Sequence, residues 1–259
     1  MLTEEENLDN KIEQSDELLT AQKAPLHEIK LWKRIYLFLA GLLGLHLFAF
    51  IIGIFVYLSF PKDLVNPVTN LITYSVLLVA LVAVILFDLP KLLYHFKKWQ
   101  AYAFGVVGGI AIVVFDITYT NILNLFYTYE PSGNEENVRD IIDLFPLASV
   151  LILGIVGPVC EELTYRVGLF ALVKKYNKWL AYIITIIVFG AIHVVASIIS
   201  GLSIWNELAN LPMYLFAGFA FSFLYDKWGI GASLTAHIGN NLYAVIVQII
   251  YKALVNNNA

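Results

Sequence analysis

Long apolar stretches separated by short polar segments make up most of the sequence. Seven of them approach the length of about 20 residues at which a helix crosses a bilayer. They cover residues 35–60, 69–89, 101–127, 146–173, 180–199, 211–225 and 230–251. The pattern predicts an all-α, polytopic membrane bundle of about seven transmembrane helices, or eight if Gly157-Pro158 splits the fourth stretch. Prolines are expected to mark the hinges between the spans, at Pro61, Pro67, Pro90, Pro131 and Pro212.

The composition leads to the same class of protein. The 259 residues are 59% hydrophobic and 14% charged, whereas a soluble domain is typically about 45–50% apolar and about a quarter charged. Lipid must therefore solvate much of the chain. A net charge of −4 without a dense basic patch argues against nucleic acid as a partner. The single cysteine, Cys160, excludes an intramolecular disulfide and a thiolate-cluster metal site.

The basic residues are distributed unequally between the two ends of the predicted spans. Twelve of the 16 lie before the first span or in the second, fourth and sixth connections, and only Lys62, Arg139 and Lys252 fall on the opposite side. Positively charged connections stay in the cytoplasm. We therefore expect a multi-pass protein of the cell membrane with a cytoplasmic N-terminus and an extracytoplasmic C-terminus.

Four regions follow from this arrangement. Residues 1–34 are expected to form a hydrophilic, acidic cytoplasmic tail, and residues 35–127 the N-terminal transmembrane helices. Residues 128–145, which are also acidic, are expected to be an exposed extracytoplasmic loop. Residues 146–255 form the C-terminal transmembrane core.

Polar residues in this core are predicted to lie at one depth in the membrane. Glu161, His193 and Asn241 lie 13, 15 and 14 residues from the lysines that mark the cytoplasmic ends of their spans. At about 1.5 Å of rise per residue, each is roughly 20 Å from that side, and His237 is about one turn nearer to it. Ionisable groups inside spans are costly, so their coincidence indicates a functional site.

Helical spacing separates these residues into pairs. Glu162 and Arg166 are four positions apart and can form an ion pair, and His237 and Asn241 likewise share one helix face. Glu161 is rotated by about 100° from Glu162. It can therefore stay unpaired, and an unpaired carboxylate in a low-dielectric site suits general-base chemistry.

Two chemistries fit this set, and the residues alone do not separate them. Glu161 and His193 could deprotonate and orient a water, with His237 and Asn241 stabilising a developing oxyanion. Alternatively, Glu161, His193 and His237 could be three ligands of a zinc ion with one open position. The sequence contains neither Gly-x-Ser-x-Gly nor His-Glu-x-x-His.

Three ordered motifs carry a family resemblance. Glu161-Glu162-Leu-Thr-Tyr-Arg166 has the form Glu-Glu-x-x-x-Arg, and Phe-x-x-x-His and His-x-x-x-Asn follow at 189–193 and 237–241. Together they resemble the CAAX-prenyl-protease and bacteriocin-processing (CPBP, or Abi) family of intramembrane endopeptidases, over about residues 146–245. Val167 departs from the pattern, because the family usually has glycine directly after the arginine.

The resemblance implies a reaction and a role for each residue. It makes residues 146–255 a catalytic core in which Glu161 and His193 activate water and His237 and Asn241 form the oxyanion site. The supporting residues are Glu162, Arg166 and Phe189. A membrane-associated peptide or protein is the implied substrate, and the lipid bilayer is the other partner. No cofactor is expected in the metal-free mechanism, and zinc is the alternative.

Two other classes of function use similar residues. A non-catalytic bacteriocin-immunity or peptide-binding membrane protein could use the same polar cavity for binding alone. A proton-coupled transporter could also place Glu and His near the midplane. The absence of a detectable internal repeat in the sequence disfavours the transporter.

Overall fold

The computed structural model describes residues 29–128, 130–199 and 201–256, and every regular element in these ranges is a helix. The helices are α1 (Leu31–Ser59), α2 (Lys62–Ile85), α3 (Trp99–Leu123), α4 (Gly133–Leu144), α5 (Pro146–Lys174), α6 (Lys178–Ile199), α7 (Ile204–Trp228) and α8 (Ile230–Asn256). Short helical turns continue the α2 span to Lys97. Most of the predicted N-terminal tail, residues 1–28, lies outside the described residues.

Seven helices in the described part of the chain are long and apolar enough to cross a membrane, namely α1 to α3 and α5 to α8. The prediction of an all-α polytopic membrane bundle is therefore confirmed, and the chain is a multi-pass membrane protein. The fourth stretch is a single span, because α5 continues through Gly157 and Pro158.

The prediction that every proline marks a hinge was wrong at two positions. Pro67 lies inside α2 and Pro212 lies inside α7. These helices begin at Lys62 and Ile204, seven residues before the predicted starts at 69 and 211. A proline removes one backbone hydrogen bond, and membrane helices tolerate this loss where neighbouring groups satisfy the freed carbonyl.

Helix α5 lies at the centre of the bundle. In its most apolar window 56% of the residues are buried, compared with 17% in α1 and 22% in α3. Helix α1 packs against α2 and the second half of α5, α3 packs against α8, and α7 contacts both α6 and α8. The charged residues of α5 are therefore enclosed by protein rather than by lipid.

Small residues allow two of these helix pairs to approach closely. A Cβ atom at Gly168 of α5 would lie 2.9 Å from the backbone nitrogen of Phe38 in α1. One at Gly105 of α3 would lie 2.8 Å from the carbonyl oxygen of Ala232 in α8. Backbone contact through small residues is a common way of packing helices in membranes, where the hydrophobic effect does not drive association.

The acidic segment is not the exposed loop that the sequence predicted. It contains α4, whose first turn is capped by Ser132 Oγ, which accepts the backbone N–H of Glu135 at 3.2 Å. Ile141 and Ile142 are buried, while the acidic side chains occupy the other face. We refer to α4 and the preceding residues 130–132 as the cap. Asn137 of the cap accepts a hydrogen bond from Asn66 of α2 at 2.6 Å.

Candidate active site

A cavity of about 140 Å³ lies between the cap and helices α2, α5, α6, α7 and α8. Glu161 of α5, His193 of α6, and His237 and Asn241 of α8 all line it. The depth argument therefore placed these four side chains correctly relative to one another. Asp116 of α3 does not line this cavity, although its Oδ1 atom is buried without a hydrogen-bond partner among the described residues.

Glu161 lines the cavity, and its Oε2 atom is buried beside two imidazoles. Its Oε2 atom lies 3.9 Å from His193 Nε2 and 3.7 Å from His237 Nε2. Both distances exceed those of a direct hydrogen bond. Within the described part of the chain this buried oxygen has no hydrogen-bond partner. It is therefore oriented towards two imidazoles and free to accept a proton.

Glu162 has the opposite environment. It is fully buried, and its Oε1 atom lies 2.9 Å from His237 Nδ1 and 3.6 Å from an Arg166 guanidinium nitrogen. The predicted pair of Glu162 and Arg166 is thus confirmed. An ionised carboxylate accepts hydrogen bonds only, so Nδ1 of His237 is the donor in this contact. The bond turns the other ring nitrogen of His237 towards Glu161.

Arg166 is held between two aromatic rings behind the cavity. The centre of its guanidinium lies 4.6 Å from the ring of Phe189 and 5.2 Å from that of Phe221. One terminal nitrogen donates to the carbonyl oxygen of Gly218 at 3.4 Å. Cation–π contacts are strongest where water is excluded, as here. Val167, the next residue, is buried in the hydrophobic core, and Arg166 still lies next to Glu162.

The local geometry of α5 explains the position of Asn241. Residues Ile152–Val156 are π-helical, and the N–H of Gly157 bonds to the carbonyl of Ile152, five residues earlier. The next carbonyl, that of Leu153, would take its bond from residue 158, but Pro158 has no N–H. Asn241 Nδ2 donates to this carbonyl at 3.0 Å instead. An amide nitrogen carries two hydrogens, so a second donor is available to the cavity.

Aromatic rings cover the faces of both imidazoles. His193 stacks on Tyr214 with centroids 4.5 Å apart and an interplanar angle of 11°, and His237 stacks on Phe221 at 4.2 Å and 16°. Phe189 meets the His193 ring edge-on at 4.9 Å. The motif search found Phe189 but missed Tyr214 and Phe221. Their seven-residue spacing, which places both on one face of a helix, was the available signal.

The cap contributes two further residues that the sequence analysis did not identify. Asn134 and Val138 of α4 line the cavity. The zinc alternative requires three side chains arranged around one ion. Within the described ranges, no group of three His, Cys, Asp or Glu side chains has such an arrangement, and Glu161, His193 and His237 as placed here do not form one.

The fold and the cavity define a multi-pass helical membrane protein with a carboxylate and two imidazoles enclosed at its centre. Residues 143–243 match the family model described as Type II CAAX prenyl endopeptidase Rce1-like. This segment contains the polar side chains at the centre of the site, which are Glu161, Glu162, Arg166, His193, His237 and Asn241. This segment is similar to the Rce1-like family, in agreement with the resemblance to CAAX-type proteases that its motifs indicated.

Two curated relatives match a similar portion of the chain. The "Putative membrane peptidase YdiL" of Bacillus subtilis is 31% identical over 147 residues, which are 56% of this chain and 50% of the relative. The "UPF0177 protein YvdC" of Lactococcus lactis is 21% identical over 149 residues, 57% of this chain and 53% of the relative. The chain thus spans about half the length of the curated relatives it matches. No solved structure is a significant match.

Proposed function

We propose that this chain is an intramembrane endopeptidase that hydrolyses a peptide bond of a membrane-associated peptide or protein. The observation that carries the proposal is the Glu161 Oε2 atom, which has no hydrogen-bond partner among the described residues and lies within 4 Å of Nε2 of both His193 and His237. The match to a family of endopeptidases supports the reaction class. A general base beside a second proton-binding group is what water activation requires.

In the proposed first step, Glu161 removes a proton from a water molecule that His193 orients. The water oxygen forms a bond to the carbonyl carbon of the substrate, and the carbonyl π electrons move onto its oxygen. This oxygen then carries the negative charge of a tetrahedral intermediate. Donors already fixed in position stabilise such a charge far better in an enclosed site than in water.

His237 and Asn241 are the proposed donors to this oxyanion. Asn241 keeps one N–H on the Leu153 carbonyl and offers the other. His237 uses Nδ1–H for Glu162, so its Nε2 can donate only when the ring is doubly protonated. Glu162 supplies the negative charge that such an imidazolium needs. This gives Glu162 a part in the reaction without contact with the substrate.

Collapse of the intermediate completes the proposed reaction. The carbonyl re-forms, the C–N bond breaks, and the leaving nitrogen takes the proton held by Glu161. The carboxylate is thereby restored to its initial state. The same group acts first as a base and then as an acid, as is usual in hydrolysis by a single carboxylate.

The test compares Glu161→Gln with the wild type in the same cells, by mass spectrometry of the termini of membrane peptides. A peptide whose terminus depends on Glu161 is then synthesised and added to purified protein in lipid vesicles. We expect Glu161→Gln to lower turnover by at least about 100-fold, because the general base is lost. The matched control is Asp116→Asn, which neutralises a membrane carboxylate away from the cavity and should cleave normally.

Three results would separate this proposal from its alternatives. Equal cleavage by wild type and Glu161→Gln would refute the proposed base. A wild-type protein that binds the peptide, never cleaves it, and protects cells equally well as Glu161→Gln would indicate a non-catalytic immunity or peptide-binding protein. Loss of activity on strong chelation, with metal bound stoichiometrically to active protein, would replace the metal-free mechanism with a zinc mechanism.

A further inference from the structure

His193 lacks the kind of support that His237 has. His237 is oriented by its hydrogen bond to Glu162. Among the residues that the structure describes, neither ring nitrogen of His193 has a hydrogen-bond partner, and its nearest charged neighbour is Glu161 at 3.9 Å. The orientation of the His193 ring must therefore come from packing.

Tyr214 provides most of this packing. Its ring lies nearly parallel to the imidazole, 4.5 Å away, and covers one face of it. Phe189 contacts the imidazole edge-on and leaves that face to Tyr214. A parallel neighbour restricts rotation of the imidazole about its bond to the chain, because any turn would drive the ring into the tyrosine.

Tyr214 is itself fixed by the cap. Its hydroxyl oxygen lies 2.7 Å from Ser132 Oγ and accepts a hydrogen bond from Asn134 Nδ2 at 3.4 Å. Both partners belong to the cap, Ser132 as the residue before α4 and Asn134 in its first turn. A tyrosine held at its hydroxyl end presents a ring of defined position to whatever packs on it.

We propose that Tyr214 is the positioning residue for His193. It fixes the imidazole plane so that Nε2 points towards Glu161, and the cap holds Tyr214 in that position. The consequence for turnover depends on the endopeptidase activity proposed above. The orientation itself can be measured without any substrate.

The chain offers a matched control on the same helix. Phe216, two residues after Tyr214, stacks on Phe115 of α3 with centroids 4.0 Å apart and an interplanar angle of 12°. This stack resembles that of Tyr214 and His193 in geometry, but neither ring lines the cavity. Phe216→Leu and Tyr214→Leu therefore remove comparable stacks, and only the second touches the site.

The first measurement is nuclear magnetic resonance of the full chain in lipid nanodiscs with ¹³C-labelled histidine. The His193 signal is assigned by its loss in His193→Gln. In the wild type it should show the upfield ring-current shift of a stacked imidazole. Tyr214→Leu should remove this shift, whereas Tyr214→Phe, which keeps the ring, and Phe216→Leu should retain it. An unmoved His193 signal in Tyr214→Leu would overturn the proposal.

The second measurement is turnover of the Glu161-dependent membrane peptide. Tyr214→Leu should lower kcat by about 100-fold with little change in KM, the loss expected when a catalytic group is misplaced by about 1 Å. Tyr214→Phe should lower kcat by no more than about fivefold, because it keeps the ring and removes only the contacts of the hydroxyl with the cap. Phe216→Leu should match the wild type. A kcat for Tyr214→Leu equal to that of Phe216→Leu would overturn the role in turnover.

The spectroscopic and the turnover measurements together distinguish failure of the inference from failure of the proposed function. If the wild type cleaves no peptide, the endopeptidase proposal fails while the spectrum still decides whether Tyr214 orients His193. Thermal unfolding of each variant identifies loss of fold. If Tyr214→Phe loses activity to the same extent as Tyr214→Leu while folded, the ring is not what matters and the proposal is wrong.

Discussion

Two adjacent glutamates in α5 have contrasting surroundings. Glu161 lines the cavity and makes no hydrogen bond through Oε2 among the described residues, whereas Glu162 Oε1 bonds to His237 and pairs with Arg166. Placing similar groups in different environments is how proteins give them different chemical roles. We infer that Glu161 is available for proton transfer because Glu162 holds the buried charges in place.

This contrast predicts that replacing glutamate by glutamine changes mainly stability at position 162 and mainly activity at position 161. Glu162→Gln should lower the free energy of unfolding by about 3–5 kcal/mol, because Arg166 would stay buried without a counter-charge. Glu161→Gln should leave stability nearly unchanged and remove activity. Thermal unfolding in lipid nanodiscs compares the stabilities of the two variants, and cleavage of the Glu161-dependent peptide compares their activities. A Glu162→Gln protein as stable as the wild type would contradict the assigned ion pair.

Sequence reasoning identified the charged residues that line the cavity. Among the aromatic residues it identified Phe189 but missed Tyr214 and Phe221. Glu, His and Arg are rare inside spans, so their presence at one depth was informative. Tyr214 and Phe221 could not be singled out, because the chain contains 15 tyrosines and 17 phenylalanines. Which of these rings stack on an imidazole depends on how α6, α7 and α8 pack together, and a single sequence does not contain that information.

At the scale of the element, the acidic residues of the cap led to the prediction of a loop, although its apolar residues have the spacing of a helix. Its many acidic side chains favoured an exposed loop. The sequence also contained Ser132 three residues before Glu135, which is a capping-box pattern. Apolar residues at 138, 141, 142 and 145 have the spacing of one helix face. The charged side chains lie on the outer face of α4, and these apolar residues form its inner face.

The cap is tied to α7 by a buried carboxylate. Glu207 is fully buried, and its Oε1 atom accepts the backbone N–H of Gly133 at 2.8 Å. Asn206 and Asn210 donate from the same helix to the carbonyl oxygens of Pro131 and Glu130, at 3.0 and 3.2 Å. These three side chains of α7 thus hold the start of the cap, in addition to Tyr214.

Loss of the Glu207 contact should loosen the cap more than the bundle. In Glu207→Leu the N–H of Gly133 loses its acceptor, and hydrogen exchange in the cap should accelerate by at least about tenfold. Exchange in α5 and α8 should change little. Exchange measured by mass spectrometry reports both, with Glu136→Gln on the exposed face of α4 as the control. Equal protection of the cap in the variant and the wild type would show that Glu207 does not hold it.

At the scale of the whole molecule, the lysines predicted to face the cytoplasm gather at one end of the bundle. Lys174 and Lys178 both pair with Asp226, at 2.5 and 2.8 Å. Lys33 pairs with Asp88 at 2.5 Å near the start of α1 and the end of the α2 span. These pairs join different helices at that end. The positive charge there therefore contributes to packing.

Chemical labelling can test the proposed orientation. The chain's single cysteine, Cys160, is buried, so an introduced cysteine is the expected target of a membrane-impermeant maleimide. Glu136→Cys in the cap should be labelled in intact cells. Lys175→Cys, between α5 and α6, should be labelled only after permeabilisation, because basic connections stay in the cytoplasm. The reverse pattern would invert the topology.

Helix α5 is π-helical at Glu162–Phe170 as well as at Ile152–Val156, and these wide turns affect how the chain should be aligned with its relatives. A turn closed between residues i and i+5 holds one residue more than an α-helical turn. A homologue that lacks one residue between 162 and 170 could close an ordinary turn there and still keep both glutamates in phase with its later positions. A one-residue gap at this place would then mean that the two proteins have the same architecture with helices that differ by one residue. An alignment forced to have no gap would displace every following position by about 100° around the helix.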